Sequence, residues 1–204
     1  QRLIIEELAT HQLSLLKTKK ARKGKKTNAF ILKNTLSDKL LDSLDFKLTN
    51  AQSSCIKEIN DDLASSEPML RLLQGDVGSG KTIVAVFALI QAVENNFQAA
   101  IMAPTEILAR QHLQNFTHYL ESLDIQIAYL SGSQNTQERR EQLNLIETGE
   151  AKVVIGTHAL FQESVSFKDL SLVIIDEQHK FGVHQRLSLT KKAQTTPHQL
   201  VMTA

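Results

Sequence analysis

The stretch Gln74-Gly75-Asp76-Val77-Gly78-Ser79-Gly80-Lys81-Thr82 decides the fold of this chain. From Gly75 onward it fits the pattern Gly-x-x-x-x-Gly-Lys-[Ser/Thr], and it stands between an apolar strand-like run and a helix-like run, as a phosphate-binding loop requires. Its glycines let successive N–H groups point into one concavity that suits phosphate oxygens. The following helix adds the positive end of its dipole. The candidate phosphate-binding residues are therefore Gly75, Asp76, Val77, Gly78, Ser79, Gly80, Lys81 and Thr82, and among them Thr82 offers its hydroxyl to Mg²⁺.

The rest of the chain after Pro68 alternates between two hydrophobic patterns. Strand-like apolar runs occupy 69–74, 98–103, 125–130, 151–155, 171–176 and 198–203, and helical patterns occupy roughly 80–95, 105–122, 136–148 and 183–192. Near-continuous apolar strands separated by helices are typical of a parallel sheet that is covered on both faces and binds ligands at the carboxyl ends of its strands. The sequence thus predicts an α/β fold with a doubly wound, mostly parallel sheet.

The first 45 residues read as a helical lead-in, and we place the start of the main domain at Phe46, so that it covers residues 46–204. A helical stripe covers residues 3–16, and a short helix is expected within 30–45. Residues 17–26 contain seven Lys or Arg. Such a run is usually a solvated segment, and contact with a nucleic acid backbone is the functional alternative.

Composition sets limits on the class of protein. Of the 204 residues, 42% are hydrophobic and 22% are charged, and the net charge is +1, values typical of a globular protein rather than a polycation. The single cysteine excludes an internal disulfide framework and suits a reducing compartment. No apolar run approaches the roughly 20 residues of a membrane span. We therefore expect an intracellular protein with no membrane partner, and the ending in mid-strand suggests a piece of a longer one.

A second chemical cluster follows the strand pattern at 171–176. Asp176 is a candidate Mg²⁺ ligand beside the phosphates, and Glu177 is a candidate base for the attacking water, because strand alternation points the two side chains differently. With Lys81 they form the predicted catalytic set. The added glutamate disfavours a small-substrate kinase, and the sequence lacks the Asn-Lys-x-Asp motif of GTPases. A zinc site at His179 is disfavoured because no second His or Cys stands at ligand spacing nearby.

Three shorter stretches allow two interpretations each. Thr49 and Gln52 form a plausible helix capping box, or Gln52 reads a base. Thr105 begins a helix after a strand, so it is an ordinary cap or a contact for a backbone phosphate. The turn Gly156-Thr157-His158 follows another strand and allows the same two roles.

Taken together, FKLTNAQ, GDVGSGKT, APTEILA, GTHAL, DEQH and the terminal MTA occur in an order and spacing that resemble the first motor domain of superfamily 2 helicases. Within that superfamily the chain is most similar to bacterial branch-migration helicases. The transcription-repair coupling translocases are the nearest alternative, and Ser79 and Gln178 favour the former group. The resemblance covers nearly the whole chain.

The resemblance implies a RecA-like domain that binds ATP and Mg²⁺ and belongs to a DNA helicase. It implies that Gln52 reads adenine beside Phe46, and that Thr82 and Asp176 hold the metal. The residues implied to couple nucleotide to DNA are Gln178, His179, Thr203 and Ala204. The residues implied to touch a DNA strand are Pro104, Thr105, Glu106, Gly156, Thr157 and His158.

The resemblance also implies partners. The expected DNA is branched or duplex, such as a stalled fork or a Holliday junction, processed in recombination and repair. A second RecA-like domain with arginine fingers and an N-terminal wedge domain would belong to the same polypeptide, which would act as a monomer in the bacterial cytoplasm, near the nucleoid. Without them we expect this chain to be weakly active or inactive, and a nucleotide- or DNA-binding module without catalysis is the alternative.

Overall fold

The computed structural model describes residues 26–177 and 192–203. The helix predicted at 3–16, nearly all of the basic run and of the helix predicted at 183–192, and three predicted coupling residues lie outside these ranges. Those coupling residues are Gln178, His179 and Ala204.

Within residues 26–177 and 192–203, six strands form one sheet with the order β1-β6-β5-β2-β4-β3, and every neighbouring pair is parallel. The strands are β1 Leu70–Gln74, β2 Gln98–Met102, β3 Ile127–Leu130, β4 Val153–Gly156, β5 Leu170–Asp176 and β6 His198–Thr203. Each lies within two residues of a predicted apolar run. The predicted α/β fold with a parallel sheet is confirmed.

In the described part of the chain, five α-helices accompany the strands: α1 Thr35–Ser43, α2 Asn50–Leu63, α3 Lys81–Glu94, α4 Glu106–Leu120 and α5 Thr136–Thr148. Short 3-10 helices cover Glu121–Leu123 and His158–Phe161. Polar caps explain several of the starts, since Thr105 accepts from the Leu108 N–H and Asn135 accepts from the Glu138 N–H. Gly149 ends α5 with a φ of 74°, which glycine adopts without strain.

The sheet buries apolar side chains on both faces. One face, with Leu73, Ile101 and Ile174, packs against side chains from α2, α3 and α4. The other face, with Met102 and Ile175, packs against Ile146 of α5 and the 3-10 helix after β4. Helices on both faces of a parallel sheet leave the carboxyl ends of the strands open to a ligand.

The described part of the lead-in packs on the domain that follows it. Phe30 and Leu40 are buried in the same core as α3, and the Phe30 N–H donates to the Leu63 carbonyl at 2.9 Å. The side chain of Asn28 donates to Ser171 at the start of β5. The boundary near residue 45 stays a prediction, but the segment before it contributes to the core. Among the described helices, none combines the length and the apolar character needed to cross a lipid bilayer.

Candidate nucleotide site and the face beside it

The loop between β1 and α3 has the backbone of a phosphate-binding nest. Gly78 and Gly80 have φ angles of 81° and 82°, in the left-handed region that disfavours side chains. Gly80 is also the N-cap of α3. Because glycine has no side chain to cap the helix, the first N–H groups of α3 remain available to an anion. This arrangement fits a chain of phosphates, as the sequence predicts.

Two side chains brace the loop. The Lys81 ammonium donates to the carbonyl oxygens of Gly75 and Asp76, at 2.9 Å for the latter. The Gln52 side chain donates from Nε2 to the Ser79 carbonyl at 3.2 Å, while its Oε1 accepts from the Thr49 N–H. The predicted capping box is confirmed. Gln52 therefore caps α2 and contacts the loop at the same time, so the two interpretations of this residue are compatible.

Strand β6 lies between the loop and the acidic pair. It pairs with β1 on one side and with β5 on the other. At its end, the Thr203 carbonyl accepts from the Gly75 N–H at 3.3 Å, and the Met202 carbonyl accepts from the Glu177 N–H at 3.0 Å. The end of β6 thus joins two groups that lie about a hundred residues apart in sequence.

Asp176 and Glu177 leave β5 in different conformations. Asp176 is the last residue of the strand, whereas Glu177 has a φ of 51°, unusual for a residue other than glycine. Left-handed conformations at such residues cluster at functional sites. The backbone therefore changes direction between Asp176 and Glu177, and the separate roles expected for the two carboxylates stay a prediction.

Asp176 has a partner that sequence reasoning missed. The His112 Nε2 of α4 lies 2.7 Å from the Asp176 Oδ2, and the two side chains are only 11% and 14% exposed. His112 stands 64 residues before Asp176 on a face of α4 that otherwise reads as core. A histidine in such a position is indistinguishable in sequence from an ordinary buried side chain.

The stretch at the start of α4 is tied to the loop after β3. The Glu106 carboxylate accepts from the N–H groups of Gly132 and Ser133, both at 3.1 Å, and from the Ser133 hydroxyl at 2.7 Å. The hydroxyl bond is the main cause that holds the pKa of Glu106 below its usual value. Thr105 and Ile107 on either side are exposed, Ile107 to 79%. Glu106 therefore anchors a loop and leaves its neighbours on the surface.

The turn after β4 lies beside that loop. Thr157 is buried, its N–H donates to the Leu130 carbonyl at 3.2 Å and its hydroxyl accepts from the Ala159 N–H. His158, by contrast, is exposed. Gly156 has no room for a side chain, because an added Cβ would lie 2.4 Å from the Leu130 carbonyl oxygen. In this turn the exposed His158 is the side chain available to a partner.

Phe46, the remaining predicted contact, lies on the surface. It is 42% exposed and lines an open cavity of about 450 Å³ with His118 and Tyr119 of α4. Pro104 is half-buried at the end of β2, beside Thr105.

A glycine nest, a lysine and a threonine at the start of a helix, and an acidic pair two strands away define a P-loop nucleotide-binding domain. The sequence profile of the DEAD/DEAH box helicase family matches residues 49–204, so the chain belongs to that family. The predicted resemblance to helicase motor domains is confirmed.

Among known proteins, the chain is similar to the ATP-dependent DNA helicase RecG. It is 48% identical to RecG of Escherichia coli strain K12 over 207 residues and 45% identical to RecG of Aquifex aeolicus over 205 residues. These alignments include all of this chain but only 30% and 26% of the relatives. The chain therefore spans less than a third of the curated relatives it matches.

Solved structures give the same result. The structure of RecG bound to a three-way DNA junction superposes with a TM-score of 0.86 at 42% identity, covering 97% of this chain and 26% of that one. The DUF1998 helicase MrfA superposes with a TM-score of 0.64 at 19% identity, covering 82% of this chain and 28% of that one, and supports the fold alone.

Proposed function

We propose that this chain is the ATP-binding half of the motor of an ATP-dependent DNA helicase that remodels branched DNA in recombination and repair. One observation carries the proposal: the phosphate-binding loop and the acidic pair flank the end of β6 and are both bonded to it. The similarity to RecG over the whole chain supports a branch-migration helicase rather than a transcription-repair coupling translocase.

The roles of the residues at the nucleotide follow from their chemistry. The cofactor, ATP with Mg²⁺, supplies a transferable phosphoryl group and a cation that offsets its charge. In our proposal Lys81 binds the outer phosphates, and the Thr82 hydroxyl and the Asp176 carboxylate hold the cation. Glu177 accepts the proton of the attacking water. The loop N–H groups from Gly75 to Thr82 bind the remaining phosphate oxygens.

The adenine would be read by Gln52, with Phe46 packing near it. The contact between Gln52 and the Ser79 carbonyl supports this role, because it holds the amide beside the phosphate loop. Replacing Gln52 with alanine should lower the preference for ATP over GTP. If Gln52 only caps α2, its replacement with alanine should lower the stability of the chain by about 1 kcal/mol and leave the preference for ATP over GTP unchanged.

The DNA contact would lie across the carboxyl ends of β2 and β4. Exposed Thr105 and His158 are the side chains best placed to meet a DNA strand, with Pro104, Gly156 and Thr157 shaping the backbone around them. A carboxylate repels phosphate, so Glu106 would act by holding the loop at Gly132 and Ser133. We propose that Thr203 couples the nucleotide to DNA, because its strand, β6, contacts both the phosphate-binding loop and the acidic pair. Gln178, His179 and Ala204 are further candidates for this coupling.

The whole helicase would include a second RecA-like domain with arginine fingers and a wedge domain on the same polypeptide. It would act as a monomer on branched or duplex DNA, in the bacterial cytoplasm close to the nucleoid. RecG is an ATP-dependent DNA helicase by name and has been solved on a three-way DNA junction, which supports branched DNA as the partner.

Two substitutions test the division of roles. Lys81→Ala should weaken binding of a fluorescent ATP analogue to this chain, because the phosphates lose a cation. Glu177→Gln should leave that binding within about twofold and abolish hydrolysis once the second motor domain is joined to the chain. Equal loss of binding in both variants would contradict the roles proposed here.

A further inference from the structure

His112 of α4 is a polar side chain at a buried position, where packing alone would favour an apolar residue. Its ring packs edge-on against Phe116, with the ring centroids 6.0 Å apart, and its Nε2 meets Asp176. An ionised carboxylate only accepts hydrogen bonds, so Nε2 carries the proton and donates it. The Nδ1 atom is buried and has no hydrogen-bond partner among the residues that the structure describes.

A buried polar atom without a partner is unfavourable, and such atoms in folded proteins call for an explanation. A leucine would fill a similar volume beside Phe116 without that penalty. What leucine cannot do is donate to Asp176. The bond to the carboxylate is therefore the feature that the histidine supplies to this site.

That bond fixes one oxygen of Asp176. A carboxylate has about four acceptor positions, and the His112 bond uses one of them, on Oδ2. The remaining positions accept no hydrogen bond from the residues that the structure describes, so they can meet a cation while the His112 bond orients the carboxylate. Groups that hold a metal-binding side chain in this way commonly contribute about 10-fold to 100-fold to metal affinity.

The helix that carries His112 also begins at the predicted DNA contact. Thr105 is the N-cap of α4, and His112 lies seven residues later, about two turns and 10 Å along the axis. Residues seven apart lie on nearly the same face of a helix. Because a packed helix moves as a unit, a displacement at Thr105 would also move the His112 ring against Asp176.

We propose that His112 is a positioning residue for the metal-binding carboxylate of Asp176, and that α4 links this carboxylate to the DNA contact at Thr105. The inference rests on the proposed function, since it assumes that Asp176 holds Mg²⁺ and that the start of α4 meets DNA. It adds His112 to the site, and a connection along α4 between the metal-binding carboxylate and the DNA contact, neither of which a sequence motif of the chain contains.

The test measures how Mg²⁺ supports binding of a fluorescent ATP analogue to this chain. We compare His112→Leu, which removes the donor, with His112→Gln, whose longer amide places an N–H near the position of Nε2. Gln114→Leu, an exposed site on the same helix, is the matched control. If the leucine variant fails to fold, His112→Asn replaces it, because its shorter amide reaches only the position of Nδ1.

We expect His112→Leu to raise the half-saturating Mg²⁺ concentration about tenfold, and His112→Gln to stay within about threefold of the unmodified chain. Gln114→Leu should not change it. Analogue affinity without Mg²⁺ should be the same in all four proteins, which a merely structural loss would not produce. An unchanged Mg²⁺ dependence in His112→Leu, or an equal loss with and without Mg²⁺, would overturn the positioning role.

Junction DNA tests the link through α4. Saturating three-way junction should shift the half-saturating Mg²⁺ concentration of the unmodified chain and of His112→Gln, and leave that of His112→Leu in place. The same shift in His112→Leu, or none in the unmodified chain, would overturn the link. An unmodified chain that binds no nucleotide even with Mg²⁺ would instead contradict the proposed function, and this inference would be withdrawn with it.

Discussion

The contact between Gln52 and the phosphate loop yields a prediction that compares two glycines. Gly78 and Gly80 have nearly the same φ, 81° and 82°, so alanine at either position meets the same backbone strain. Their surroundings differ. A Cβ at Gly78 would have no heavy atom of the described residues within 4 Å, whereas a Cβ at Gly80 would lie 2.3 Å from the Gln52 Nε2. Alanine at Gly80 must therefore displace the Gln52 amide.

The expected loss of stability has two parts, the backbone strain and the displacement of the Gln52 amide. Left-handed backbone costs an alanine about 1–2 kcal/mol, which is the whole expected effect of Gly78→Ala. Gly80→Ala adds the loss of the bond from Gln52 to the Ser79 carbonyl, about 1 kcal/mol. The glutamine amide ends a flexible side chain and can move aside, so no larger steric cost arises. We expect Gly80→Ala to destabilise the chain by about 2–3 kcal/mol.

The assay is urea unfolding of the single variants and of a double variant with Gln52→Ala. In the Gln52→Ala background, the cost of Gly80→Ala should fall by about 1 kcal/mol, to that of Gly78→Ala, because the displaced group is already absent. The dependence of the free energy of unfolding on urea concentration should be the same in all variants, so that differences in the midpoint report differences in stability. Equal costs of Gly80→Ala in both backgrounds would refute the reasoning.

Two further predictions concern the edges of the domain. Buried His198 accepts a hydrogen bond from the Met69 N–H on Nδ1 and donates one from Nε2 to the Asn28 carbonyl, and burial lowers its pKa. The unfolded chain therefore binds more protons than the folded chain, so the urea midpoint should fall as the pH drops below about 6.5. His198→Phe should flatten this pH dependence. Glu106→Ala should release the loop at Gly132 and Ser133 and weaken junction binding several-fold in an anisotropy titration, without changing ATP-analogue affinity. Unchanged junction binding would exclude Glu106 as an anchor of the DNA face.

The elements of this domain are readable from sequence because its central strands β2, β4 and β5 are buried along nearly their whole length. Val153–Gly156 and Leu170–Asp176 are nearly unbroken apolar runs, which are typical of strands in a covered parallel sheet. The phosphate loop is readable for another reason: its function requires glycines and a lysine at fixed positions. Local caps such as Thr49 with Gln52 depend on neighbours three residues apart, and they are confirmed as predicted.

Contacts between distant segments are not readable in this way. The order of strands puts β6, last in the chain, between β1 and β5, and local patterns carry no information about such neighbours. The His112 bond to Asp176 and the Glu106 bonds to Ser133 span 64 and 27 residues. The position of Thr157 after a strand predicts a contact with a partner, whereas its burial depends on β3, which lies beside it in the sheet.

In our proposal this chain is one half of a DNA-dependent motor. The most direct measurement is the ATPase rate, with and without forked DNA, of this chain alone and of the same chain joined to a second motor domain. Arginine fingers contribute roughly 10³-fold to 10⁵-fold to phosphoryl transfer, so we predict turnover only in the joined protein, accelerated by the fork. Brisk hydrolysis by this chain alone, indifferent to DNA, would contradict the claim and identify a self-contained P-loop enzyme.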